Sequence, residues 1–234
     1  MPLARLALAL ALAVLSACGS TPTVPEDAPT RTLSVGFLIV EGVYNTELTA
    51  PFDVFQHTVF HAQPGMKVFT VAPSREPVRT FEGLRLVPDY PLGGAPPIDV
   101  LVVPSAEHSM DDDLENEDLI RWVRSVGMRA QFVLSLCDGA FVLAQAGLLD
   151  GKAATTFPAD IAAFRERFGA RVDVRADVSF VHDGALITSV GGAKSFDAAL
   201  YLCELLYGEK AARGIGRGLV LDWDLDEIEH DVEE

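Results

Sequence analysis

Cys137 is the residue in this 234-residue chain whose surroundings most suggest covalent chemistry. It stands in Ser135-Leu136-Cys137-Asp138-Gly139-Ala140, directly after the apolar run Phe132–Leu136 and before a stretch of helical composition. A tight strand-to-helix turn with a small residue two places on pushes a nucleophile's side chain outward, and a helix N-terminus favours the thiolate. The amide N–H of Asp138 would then face a developing negative charge. Taken alone, the same residue reads equally well as a packed core thiol, since free cysteine is among the most buried residue types. Cys203, within Tyr201-Leu202-Cys203-Glu204-Leu205, has helical core spacing and reads as packing.

Other residues offer weaker chemistry. His57 and His61 stand four apart on one predicted helix, a metal-binding spacing, but no third ligand accompanies them. His108 follows the predicted strand Ile98–Val103 and reads as a solvated loop residue or a site participant. Gly214-Ile215-Gly216-Arg217-Gly218 follows no strand and lacks Lys-Ser/Thr, so it is not read as a phosphate loop. Acids cluster in two runs, Asp111–Asp118 and Asp222–Glu234, and elsewhere acids and bases nearly balance. Both runs read as solvated surface rather than as cation sites, since neither has calcium-loop spacing. No metal or cofactor is expected. The net charge of −16 disfavours nucleic acid as a partner.

The elements that must position these residues alternate. Strands are expected at Leu33–Val40, Lys67–Ala72, Ile98–Val103 and Phe132–Leu136, with hairpins over Pro77–Val87 and Val178–Val190. Helices are expected at Glu47–Phe60, with Pro51 in the first turn, and at Leu114–Val126, Ala140–Leu149, Asp160–Phe168 and Ala193–Tyr207. Strands apolar throughout, alternating with helices, imply an α/β fold whose mostly parallel central sheet is covered on both faces. Ligands then bind beyond the carboxyl ends of the strands, where Cys137 lies.

The N-terminus reads as a targeting segment. Arg5 and the apolar Leu6–Leu15 run into Leu15-Ser16-Ala17-Cys18, which resembles a bacterial lipobox. That resemblance implies a signal peptide over residues 1–17 and lipidation of Cys18. It also implies membrane attachment in the cell envelope, at the outer membrane facing the periplasm. Residues 18–31 read as a flexible tether, 32–218 as the folded domain and 219–234 as an acidic tail.

Several segments, in order, resemble isonitrile hydratase-like members of the ThiJ/PfpI superfamily. They are Leu48-Thr49-Ala50-Pro51-Phe52-Asp53-Val54-Phe55, the stretch from Ser135 through Thr156, Asp183–Gly192, and Phe196-Asp197-Ala198-Ala199-Leu200. The resemblance implies a flavodoxin-like three-layer sandwich with a nucleophile elbow at Cys137, a homodimer and a small-molecule ligand. It places Glu47 where relatives carry an acid touching the cysteine sulfur. The oxyanion donors it implies are the amides of Asp138 and Ser105. It also exposes departures: Phe157 stands where relatives often have His after Ala-Thr-Thr, Ser105-Ala106 replaces Gly-Gly, and Asp138 replaces Thr. The readings left open are a cysteine-dependent hydratase or hydrolase, a redox or electrophile sensor, and a ligand-binding module related to the sensory halves of AraC-type regulators.

Overall fold

The structure, a computed structural model, describes residue 25 and residues 28–233. Cys18, the lipobox and most of the tether lie outside the described residues. Among the described residues no helix is long and apolar enough to cross a membrane.

In chain order the elements are β1 (Leu33–Leu38), α1 (Asn45–His61), β2 (Met66–Ala72), β3 (Val78–Arg79), β4 (Arg85–Leu86), β5 (Tyr90–Pro91) and β6 (Val100–Val103). Then come α2 (Asp112–Glu115), α3 (Glu117–Gly127), β7 (Phe132–Leu136), α4 (Gly139–Gln145), β8 (Ala153–Ala154), α5 (Ile161–Phe168) and β9 (Asp173–Val174). The chain closes with β10 (Phe180–Asp183), β11 (Leu186–Ser189), α6 (Ser195–Tyr207), α7 (Glu209–Gly218) and β12 (His230–Glu233). Eight strands form one sheet in the order β12-β10-β11-β7-β6-β1-β2-β5. All neighbours run parallel except the β10–β11 hairpin.

Alternate side chains of the central strands feed two cores. Val35 and Phe37 of β1, Val100 and Val102 of β6, and Leu134 and Leu136 of β7 pack toward α1, α6 and α7. Leu38, Leu101, Val103 and Val133 point to the other face, with Leu119 and Val123 of α3, Phe141 of α4 and Phe164 of α5. This is the expected three-layer sandwich, a consequence of period-two burial on strands that have no solvent face.

Four local expectations change. Helix α1 begins at Asn45, so Pro51 lies inside the helix rather than in its first turn, and the Glu47 carbonyl has no N–H four residues on. The helix expected at Leu114–Val126 is interrupted at Asn116, whose side chain caps α3 by accepting the Leu119 N–H at 3.1 Å. Helix α4 stops at Gln145 rather than Leu149. The largest change is at the C-terminus. The tail expected at 219–234 is, over its described residues 219–233, not solvated: Trp223 is buried, Leu221, Leu225 and Ile228 pack on the core, and β12 extends the sheet beside β10. Arg175 ties this strand down through Asp231 (2.6 Å) and Glu233 (2.5 Å). The acids that dominate the segment's composition alternate with the apolar residues that anchor it.

The glycine run at 214–218 lies in α7 and serves close helix packing. A Cβ at Gly214 would fall 2.7 Å from the His61 ring, and His57 and His61 both lie beside these glycines.

Candidate active site

Four segments meet at the carboxyl edge of the sheet. Glu47 sits in the first turn of α1, beyond β1. Its helix is held by the β3–β4 hairpin, where the Glu82 carboxylate accepts the Asn45 N–H (3.1 and 3.2 Å) and Phe81 packs on Tyr44 with ring centroids 4.7 Å apart. An anion at a helix N-terminus is favourable, so the hairpin fixes where α1 begins. The loop after β6 docks on the same place, with the Tyr44 N–H bonded to the Ser105 carbonyl at 3.1 Å. Cys137 follows β7, and Gly191-Gly192 follows β11.

Cys137 has φ = 53°, a left-handed conformation that costs a non-glycine residue about 1–3 kcal/mol and persists only when its surroundings enforce it. They do. The Cys137 N–H donates to the Ser189 carbonyl at 2.9 Å, and its own carbonyl accepts the Thr156 hydroxyl at 3.0 Å. Two glycines make the elbow possible. A Cβ at Gly139 would lie 2.1 Å from the Val103 carbonyl oxygen, and one at Gly191 would lie 2.4 Å from the Cys137 Cβ. The small residue two places after the cysteine is therefore a steric requirement of β6 crossing beneath the turn.

The electrostatics differ from the sequence expectation. Helix α4 has only seven residues, and no cation stands near the sulfur among the residues that shift its titration. Burial pushes the Cys137 thiol up, and the negative charges of Glu47 and Asp138 push it further; the Asp138 N–H, bonded to the sulfur, opposes them. The carboxyls respond in kind. Glu47, 6% exposed, is raised to about 7, chiefly by burial, against hydrogen bonds from Gly192, Cys137 and Ser105. Asp138 is raised to about 6, again by burial first, while its bond from Thr156 (3.0 Å) pulls the other way. The Asp138 carboxyl lies 3.7 Å from the sulfur. The result is a sulfur and two carboxyls that hold protons near neutrality and can pass one among themselves.

Glu47 is also a mechanical tie. One oxygen accepts the Ser105 N–H at 3.2 Å and the other the Gly192 N–H at 3.3 Å. Ser105 was expected to offer that amide to an oxyanion, but the carboxyl already occupies it, and the Ser105 hydroxyl is buried without a partner. Asp138 is the remaining expected donor. Phe157, at the position where relatives often carry His, is 41% exposed and supplies no proton partner. His108 pairs with Asp111, 3.3 Å from its Nδ1. His108, Asp111 and Asp112 are the only group of three in metal-binding proximity among the described residues; the histidine is half-exposed and the two acids are exposed, as such acids commonly are without an ion. His57 bonds Asp53 of its own helix instead of pairing with His61.

Residues 33–205 match the DJ-1/PfpI family. The chain belongs to the DJ-1/PfpI family. It is 32% identical over 181 residues to the isonitrile hydratase of Pseudomonas putida, covering 77% of this chain and 75% of that protein. It is 35% identical over 103 residues to the HTH-type transcriptional regulator CdhR of Pseudomonas aeruginosa, covering 44% of this chain and 30% of that longer protein. A crystal structure of a ThiJ/PfpI family protein from Pseudomonas syringae superimposes with a TM-score of 0.73 at 23% identity, over 89% of this chain and 84% of that one. The DJ-1/PfpI match ends before α7 and β12, so the C-terminal edge of the sheet lies outside it.

Proposed function

We propose that this DJ-1/PfpI protein is a cysteine-dependent hydratase or hydrolase that adds water to a small electrophilic carbon. The carrying observation is the Glu47 carboxyl, hydrogen-bonded to the Cys137 sulfur and held near pH 7, where it both gives and takes a proton. The similarity to an isonitrile hydratase supports the reaction class. Taking an isonitrile carbon as the example, ionised Glu47 takes the Cys137 S–H proton as the sulfur bonds to that carbon and passes it to the carbon, giving a thioimidate. Glu47 then takes a proton from water as the water oxygen adds to the same carbon, and passes it to the nitrogen. As the C–S bond breaks, its electron pair returns to sulfur, the added hydroxyl's proton goes back to the thiol through Glu47, and the net change is addition of one water to give a formamide. The Asp138 amide donates toward the charge that develops at the site. No bound group is needed for these steps.

A second reading has its own support. The Ser105 amide is taken and Phe157 replaces an imidazole, which weakens turnover more than it weakens reversible oxidation of the sulfur. A redox or electrophile sensor follows from that, and the similarity to part of a transcriptional regulator supports a ligand-binding module as a further alternative. For location, the lipobox-like Leu15-Ser16-Ala17-Cys18 supports a lipid-anchored protein of the bacterial envelope, acting as a homodimer on a small molecule. Cys18→Ala should then abolish membrane fractionation.

The test of the reaction is a panel of small isonitriles and activated carbonyls with the wild-type chain and Cys137→Ser. Hydration of any member that Cys137→Ser lacks supports the enzyme. Rapid, reversible modification of Cys137 by peroxide without turnover of any member supports the sensor instead.

A further inference from the structure

A cavity of about 350 Å³ opens next to the elbow. Its inner wall is made by residues that hold Cys137 in place. Thr156 donates to the Cys137 carbonyl, and Val190 directly follows Ser189, which accepts the Cys137 N–H. Ile161, Val178, Val190 and Pro158 make much of the lining apolar. Thr155, fully buried, backs the cavity wall. The volume and mixed lining are those of a small-molecule site.

The charge at the mouth is one-sided. Asp177, Glu227 and Glu229 line it with exposed carboxylates, while Lys194, the single lining cation among the described residues, is paired with Asp197 at 3.0 Å. Glu227 and Glu229 are fixed by the chain that precedes β12, with the Glu229 carbonyl accepting the Ser179 N–H at 2.6 Å. Both lie beyond residues 33–205, the part of the chain that matches the DJ-1/PfpI family.

We propose that the cavity between Thr155, Ile161 and the Glu227–Glu229 segment is a binding subsite for the cationic, apolar-bodied part of an organic amine. An apolar stem rests against Ile161, Val178 and Val190, and the ammonium faces the three carboxylates. Its use as a substrate subsite rests on the proposed role of Cys137, whose elbow is braced from the cavity wall by Thr156. The binding site itself does not depend on that role.

The test is calorimetric titration of the full chain with phenethylammonium and with 3-phenylpropionate, a probe of similar shape and opposite charge. The cation should bind and the anion should bind at least tenfold more weakly, with the difference shrinking as salt screens exposed charges. Glu227→Gln/Glu229→Gln should weaken the cation by about tenfold, the scale of two lost partly screened attractions. Ile161→Trp, which fills the cavity, should abolish binding. Equal binding of both probes, binding of neither, or cation binding unchanged in the double variant would overturn the site. Iodoacetamide labelling of Cys137 separates the two proposals. An inert Cys137 with intact, charge-selective binding leaves the subsite standing and removes the nucleophile. A reactive Cys137 without charge selectivity does the opposite.

Discussion

The two described cysteines are both buried, yet the structure treats them differently. Cys203, fully enclosed on α6, has its thiol pushed up by burial alone. Cys137, 7% exposed, is buried and also strained at φ = 53°, bonded to two carboxyls and backed by the Asp138 amide. Burial suppresses a thiol in either place. What distinguishes the elbow is not a lowered titration point but a proton partner whose own pKa has been brought up to meet neutrality. At Cys137 the amide at the start of α4 does favour the thiolate, but burial and the two carboxyls outweigh it.

The comparison breaks most visibly if the sulfur is removed. Cys137→Ser should lose all measurable turnover, whereas Cys203→Ala should keep it. Retained turnover in Cys137→Ser would move the chemistry elsewhere. Next in size is Glu47. Both of its oxygens accept backbone N–H groups, which a protonated carboxyl still does while donating to sulfur, but an amide nitrogen cannot. Glu47→Gln should therefore cut turnover by about 10²–10⁴-fold, the usual worth of a positioned acid–base group, and also lower the melting temperature. An unchanged melting temperature would show that the two amide contacts carry little.

Labelling rates sharpen the contrast further. Iodoacetamide should modify Cys137 at least tenfold faster than Cys203 in the native protein, read by peptide mass. Equal rates would mean that both thiols react only through unfolding. Gly139→Ala, which drives a Cβ into the Val103 carbonyl, should cost about 2–4 kcal/mol and erase that difference in rates. The smallest effect concerns pH. Glu47 and Asp138 titrate higher in the folded chain than in the unfolded one, so between about pH 4.5 and 7 the folded state binds more protons. Stability falls as pH rises through that window. The melting temperature should drop by a few degrees between pH 5 and 7.5, and less in Glu47→Gln. A flat profile would mean that neither carboxyl is proton-coupled to the fold.

The elbow was legible because its signal is local. Apolar strand, cysteine, one residue, glycine and helix all lie within ten positions, and the strands on either side are apolar for the same reason that the sheet is buried. Glu47 was legible only through the family resemblance, since nothing near it in the chain marks an acid at a helix start as more than a favourable surface charge. The use made of the Ser105 amide was not legible at all, because the group that takes it is 58 residues away. The C-terminal segment misled through composition. Its eight acids mask the apolar residues Leu221, Trp223, Leu225 and Ile228 that alternate with them, and its strand pairs with a hairpin edge that no short-range pattern reveals.

The carboxyl of Glu47 carries a further consequence, one of timing. It joins residue 105 to residue 192, and the second contact spans 145 positions. At roughly 5–20 residues per second, synthesis separates the appearance of residue 47 from that of residue 192 by about 7–30 s. Contacts so distant in sequence also form slowly after synthesis, because their loop closure comes before any reward. Between the appearance of residue 137 and that of residue 192, about 3–11 s at the same rate, the chain contains the acid, the loop after β6 and the sulfur, but not the arrangement that brings them together. A nascent or misfolded chain therefore carries Cys137 as an ordinary thiol, and only a finished one sets the Glu47 carboxyl beside it.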